Sequence, residues 1–269
     1  MRAYLPHFSA TLIAASLLMG HDQLPLQQPP PRRIVSTSLC GDSYVLALAQ
    51  EPQIAALSWQ SNDSVATTPT SLSTLPQAWD DVERLLALHP DLVVFGAGEG
   101  TRAKPFLDKA GIAYITIRWG ENFIAVQDNM GTLAQALHVQ TPPQATAKTP
   151  QRADTPKILY LSSAGGTAGP GTFIDAVIKA AGGTNIITQA GWFTPDLEAL
   201  SQLSPDLIIT SFLEDGYDSV NAPTLRHSML RTKIKATPHM NIAGKYWPCA
   251  GPGLYRATEL MADAIRDLP

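Results

Sequence analysis

Apolar positions along the chain fall into two recurring patterns. Short, nearly unbroken runs occur at Arg33-Ile34-Val35-Ser36, Ile54-Ala55-Ala56-Leu57, Leu92-Val93-Val94, Ala113-Tyr114-Ile115-Thr116-Ile117, Lys157-Ile158-Leu159-Tyr160-Leu161 and Leu207-Ile208-Ile209. Runs of this length without a polar alternate predict strands buried on both faces, as in parallel sheets. Between them lie stretches with apolar residues three and four apart, around 82–88, 103–110, 173–181 and 197–203. Another covers Asn122 to Val139, where Phe123, Val126, Met130, Leu133 and Leu137 share one helical face. Strands alternating with helices imply right-handed crossovers and parallel sheets.

The pattern repeats. Val82-Glu83-Arg84-Leu85-Leu86-Ala87-Leu88-His89-Pro90-Asp91-Leu92-Val93-Val94 has the layout of Leu197-Glu198-Ala199-Leu200-Ser201-Gln202-Leu203-Ser204-Pro205-Asp206-Leu207-Ile208-Ile209, without a gap. In each copy a short amphipathic helix reaches a Pro-Asp turn and then a β-branched run. Each half also opens with a strand, a small-residue turn and a helix. The two halves meet at Thr141 to Pro156, which carries four prolines and little apolar content. The expected organisation is an N-terminal α/β lobe over 32–121, a connecting helix with a Pro-rich linker over 122–156, and a C-terminal α/β lobe over 157–269.

Residues 1–21 read as an export signal. Arg2 and His7 precede an apolar run from Ala10 to Met19, and polarity returns at His21-Asp22-Gln23. The competing reading, a buried helix, would require a polar face that this run lacks. Residues 22–31 form a Pro-rich leader, and no cysteine follows the run closely enough to suggest a lipid anchor. The 269 residues carry 45% hydrophobic and 16% charged positions, which describes a globular chain. With 19 Lys+Arg against 23 Asp+Glu, the net charge of -4 provides no basic field for nucleic acid.

Open α/β sheets bind ligands beyond the carboxyl ends of their strands. Those positions hold Ser38, Cys40, Trp59, Glu99, Trp119, Gly166, Thr167, Trp192, Tyr217 and Trp247, which are the candidate ligand-binding residues. Large rings beside polar groups suit a broad, partly apolar ligand, although each ring could equally pack a lobe edge. Arg118 and Arg226 could add positive charge or stay as solvated surface charges. The six histidines, His7, His21, His89, His138, His227 and His239, fall mostly outside these loops, so no site for a bare metal ion is expected. Gly165 to Thr172 (GGTAGPGT) lacks the lysine of a phosphate-binding loop, no G-x-S-x-G or H-E-x-x-H occurs, and Ser162-Ser163 has no evident base. No catalytic residue and no cofactor are expected. Cys40 and Cys249 permit a disulfide between the halves, and two buried free thiols remain the alternative.

The paired lobes, the Glu-x-x-x-x-x-x-Pro-Asp-Leu repeat, the opening Arg33-Ile34-Val35-Ser36-Thr37-Ser38-Leu39 and the connecting helix resemble the periplasmic substrate-binding proteins of ABC importers for ferric siderophores, haem and cobalamin. The likeness runs over residues 32–266. It implies two Rossmann-like lobes joined by one helix, with a metal chelate held in a shallow cleft between them, little lobe closure, and a monomer that delivers its ligand to a permease dimer in the periplasm. The proline-broken linker departs from that pattern. By the same likeness Glu83 and Glu198, matched through the repeat, would pair with permease arginines. The bland alternative is a carboxylate placed at a helix start, where free N–H groups favour it. The implied ligand is a ferric siderophore or a corrinoid. A metal-ion carrier of the same fold class and an exported hydrolase are the alternatives.

Overall fold

The structure, a computed structural model, describes residues 29–63, 65–142, 154–162, 165–211 and 228–269. The export signal over 1–21, most of the leader and most of the linker lie outside the described residues.

In the N-terminal half the elements are β1 (Ile34–Ser36), α1 (Leu39–Leu48), β2 (Ile54–Ser58), β3 (Gln77–Ala78), α2 (Val82–Ala87), β4 (Leu92–Phe95), α3 (Lys104–Ala110) and β5 (Ala113–Thr116). The connecting helix α4 (Phe123–Leu137) follows. The C-terminal half contains β6 (Lys157–Leu161), β7 (Thr167–Ala168), α5 (Phe173–Ala180), β8 (Thr184–Asn185), β9 (Trp192–Phe193), α6 (Leu197–Gln202), β10 (Leu207–Thr210), α7 (Ser228–Ala236), β11 (His239–Asn241) and α8 (Gly253–Arg266).

The first sheet is parallel with strand order β3-β2-β1-β4-β5, and the second is parallel with order β11-β10-β6-β8. In each, the chain leaves the first strand in one direction and returns on its other side. The switch points therefore fall between β1 and β4, and between β6 and β10, where ligand crevices form. The expected fold class is the observed one. The antiparallel pair β7-β9 stands apart from both sheets.

Strand alternation divides the core. Ile34, Leu92 and Val94 of the first sheet, with Ile158, Tyr160 and Ile209 of the second, face one cluster, which Tyr44 and Val45 of α1, Val126, Met130 and Leu133 of α4, Ile174 and Val177 of α5 and Leu254 and Met261 of α8 complete. This single core runs from one sheet to the other through four helices. The outward neighbours Val35, Val93 and Phe95 pack with Leu85 of α2 and Leu107 of α3, while Leu159, Leu161 and Ile208 pack with Leu200 of α6 and Leu230 of α7. Fully burying such side chains contributes roughly 1.5–3 kcal/mol each.

The Pro-Asp turns of the repeat have a structural task. Asp91 N donates to Arg33 O at 3.0 Å, and the Asp91 carboxylate accepts from Arg32 N and Arg33 N at 2.8 and 2.9 Å. Asp206 N donates to Lys157 O at 2.8 Å, and its carboxylate accepts from Lys157 N at 2.7 Å. Each aspartate thus fastens the start of the central strand of its sheet to the neighbouring strand. The α4 helix has 15 residues, capped by the Asn122 side chain and ended by His138 in the left-handed conformation, so it stops short of Val139. At 1.5 Å per residue it spans about 22 Å.

Candidate ligand cleft

The carboxyl ends of β1 and β11 lead into loops that meet at the seam between the lobes. Cys40, in the first turn of α1, forms a disulfide with Cys249, which stands in the loop after β11. Among the described residues no cysteine is free. Beside it the Tyr44 hydroxyl donates to Ala250 O at 2.7 Å. Burial pushes the Tyr44 phenol up to about 12, so it stays a donor. Asn129 of α4, fully buried, accepts from Arg118 N at 3.0 Å and donates to Arg118 O at 2.8 Å and to the Tyr44 oxygen at 3.4 Å. A covalent bond and a hydrogen-bonded chain therefore tie the exit of β5, the helices α4 and α1, and the last loop of the other lobe.

At the N-terminal switch point α1 approaches the sheet closely. Ser38 caps the helix by accepting from Gly41 N at 3.0 Å, and a Cβ on Gly96 would stand 2.6 Å from Ser38 Oγ. Asp42 is buried in the same first turn, where its carboxylate accepts from Ser58 N at 3.0 Å and from Ser58 Oγ at 2.5 Å. Burial raises its carboxyl from 3.8 to about 6, against the lowering effect of hydrogen bonds from Ser58 and Ser36.

Three tryptophans reach the surface at strand ends. Trp59 follows β2 and is 48% exposed, Trp119 follows β5 and is 64% exposed, and Trp192 begins β9 and is 45% exposed. The structure brings Trp119 and Trp192 together although they belong to different halves of the chain. Glu121 stands between them and accepts from both indoles, at 3.1 Å from Trp119 Nε1 and 3.2 Å from Trp192 Nε1. The Trp192 ring lies 4.9 Å from that of Phe173, centroid to centroid.

Several expected cleft residues face elsewhere. Trp247 is corrected to a core residue: it is 5% exposed, donates to Ile242 O at 3.0 Å and packs edge-on against Tyr160. Thr167 is buried with its hydroxyl donating to Tyr160 O at 2.7 Å, and Gly166 N donates to Ser162 Oγ at 3.0 Å, so neither offers a free group. The Glu99 carboxylate accepts from Thr37 Oγ1 at 2.6 Å and Gly96 N at 2.7 Å, which makes it the buckle of its own loop. Cys40 is held in the disulfide, and the Ser38 oxygen caps α1. The Arg118 side chain is exposed. Tyr217 and Arg226 lie outside the described residues.

Two cleft-side groups escaped the sequence reading. Trp79 follows β3 directly, and Ala78, the residue before it, pairs with Ser58, the residue before Trp59. The Arg84 guanidinium stands 4.3 Å from the Trp79 ring centroid. Its signal was its place just after an apolar residue in a two-residue strand too short to show a period. Glu121 is the other, and it carried no local signal at all.

Glu83 and Glu198 are both exposed and both occupy the second position of their helices, α2 and α6. Crossover helices run opposite to the strands, so both carboxylates stand toward the cleft end of their lobe. Among the described residues no group of three or more His, Cys, Asp or Glu could hold a metal ion, and no helix is long and apolar enough to cross a membrane.

This architecture recurs in known proteins. The haem-binding protein HutB of Vibrio cholerae is 25% identical with a TM-score of 0.64, covering 88% of this chain and 98% of that one. The periplasmic protein BhuT, solved with two haems, superposes with a TM-score of 0.65 at 22% identity over 88% of this chain and 98% of that chain. Cobalamin-binding proteins from two strains of Halobacterium salinarum are 29% identical over 156 residues, which is 52% of this chain and 42% of the relative. The match thus spans less than half the length of these curated relatives. The family model for periplasmic binding proteins matches residues 34–241, and the chain belongs to that family.

Proposed function

We propose that the protein captures a metal chelate with a broad apolar face in the cleft between its lobes and presents it, outside the cytoplasm, to the permease of an ABC importer, with no chemistry of its own. The observation that carries this reading is the set of exposed indoles, Trp59 and Trp119 beyond the carboxyl ends of β2 and β5 and Trp192 at the start of β9, on two seamed lobes. A chelate arrives with its metal already coordinated. Its receptor then needs flat apolar walls rather than converging ligands, and the described residues supply the former and no cluster of the latter. The cobalamin- and haem-binding relatives favour a tetrapyrrole-type macrocycle, whose faces match indole rings.

The test is a titration of the purified protein with a ferric hydroxamate, a ferric catecholate, hemin and cyanocobalamin, followed by tryptophan fluorescence. Saturable quenching by one class, weakened in Trp119→Ala and Trp192→Ala, supports the reading. Quenching by none of them overturns it.

For delivery, Glu83 and Glu198 are the proposed contacts, since related carboxylates on two lobes can engage arginines of a pseudo-twofold partner in bidentate pairs. Reversal of both to Lys should abolish ligand-dependent stimulation of permease ATPase in reconstituted vesicles while chelate affinity stays constant. Unchanged stimulation removes these residues from the docking surface.

A further inference from the structure

We propose that Glu121 is a positioning residue whose single carboxylate clasps the indole N–H of Trp119 and the indole N–H of Trp192, so that rings from the two halves of the chain stand as one wall of the cleft. The proposal rests on the reading of that cleft as the ligand site.

Oε1 accepts from Trp119 Nε1 at 3.1 Å and from Trp192 Nε1 at 3.2 Å. Oε2 lies 3.4 Å from Trp192 Nε1 and accepts from Phe173 N at 3.1 Å, at the first residue of α5. One side chain thus gathers donors from β5's exit, from β9 and from the start of a helix in the opposite lobe. A carboxylate suits this place twice over. It has lone pairs enough for all three donors, and the N–H groups opening α5 carry partial positive charge.

The backbone on both sides is built to bring the partners together. Gly120, between Trp119 and Glu121, cannot carry a side chain, because a Cβ there would meet Ala125 Cβ at 2.2 Å. On the other side, Gly169 packs so closely under the turn before Trp192 that a Cβ would stand 1.7 Å from Gln189 O. Gly169 N donates to Gly191 O at 2.9 Å, and Gly191 adopts φ 81, which an ordinary residue resists. Gly169 of the GGTAGPGT segment therefore serves the placement of Trp192.

An exposed indole with no partner samples several rotamers, and a ligand must then order it at an entropic cost. Two charge-assisted hydrogen bonds fix both rings before the ligand arrives. They also join the two lobes, in addition to the disulfide and the Tyr44 bridge.

The experiment follows the indole 1H–15N resonances of the full protein, assigned with Trp→Phe variants, in Glu121→Gln and Glu121→Leu. The Trp119 and Trp192 indole protons should both move upfield, further in the Leu variant than in the Gln variant. The Trp247 indole, bonded to Ile242 O inside the core, should stay in place and so reports an intact fold. Affinity for whichever of hemin or cyanocobalamin binds the wild type should weaken about tenfold in Glu121→Leu and less in Glu121→Gln. Movement of only one indole, or of neither, overturns the clasp. Movement of both with affinity changed less than about twofold overturns its role in the cleft. If the wild type binds neither probe, the preference for a macrocycle fails separately, and the resonances alone decide the clasp.

Discussion

The first helices of the two lobes solve one problem with different chemistry. Both α1 and α5 start at a hydroxyl cap, Ser38 or Thr172, and both bury an aspartate in the opening turns, Asp42 or Asp175. Each aspartate ties its helix toward the following strand of the sheet, Asp42 through Ser58 at the end of β2 and Asp175 through Asn185 in β8. Asp175 also holds Lys179 at 2.7 Å, whereas the groups bonded to Asp42 are neutral N–H and O–H donors. Burial among neutral donors raises the Asp42 carboxyl to about 6. The same topology therefore leaves the N-terminal lobe with a proton-sensitive joint next to the interlobe disulfide.

The comparison can be broken most severely at the seam. Cys40→Ser with Cys249→Ser opens a loop with a sequence separation of 209, and chain-entropy reasoning gives a loss of about 5 kcal/mol of unfolding free energy. Urea denaturation of the variant against oxidised wild type measures it, and a loss under about 1 kcal/mol would show that the noncovalent core alone holds the lobes.

The next effect concerns protons. The carboxyl of Asp42 rises from 3.8 unfolded to about 6 folded. The folded state therefore binds the proton more tightly, and stability falls as pH rises from about 4 to about 6, then levels off. The size is of order 3 kcal/mol, at 1.36 kcal/mol per pH unit. In Asp42→Asn that slope should vanish from a plot of urea midpoint against pH. Asp175→Asn should retain it. Equal slopes in the two variants would erase the distinction between the lobes.

A smaller asymmetry lies in the repeat. Asp91 accepts two backbone N–H groups and Asp206 one, so Asp91→Ala should cost about 2 kcal/mol and Asp206→Ala about 1 kcal/mol in thermal unfolding. The reverse order would contradict the structural task assigned to the Pro-Asp turns. Reversal of the exposed Glu83 and Glu198 should move stability least, within about 0.5 kcal/mol.

Much of this was legible before the structure. Unbroken apolar runs separated by leucine-spaced helices specify parallel sheets, and the ungapped repeat shows two lobes, because burial on both faces and helical spacing are local properties of the chain. The disulfide was one of two open readings, since pairing depends on a seam that no spacing reveals. What escaped were features made by approach. The strands β3, β7, β8 and β9 have two residues each and show no period. Trp247 sits in a loop by pattern, yet its neighbours enclose it. Glu121 looks like any turn residue until Trp192 arrives from 71 positions away.

The most direct test of the central claim is native mass spectrometry after incubation with an equimolar mixture of a ferric hydroxamate, a ferric catecholate, hemin, cyanocobalamin and free ferric and zinc ions. The account predicts retention of one intact chelate per chain. Retention of a bare ion, or of nothing, would contradict a cleft built to hold a metal that is already coordinated.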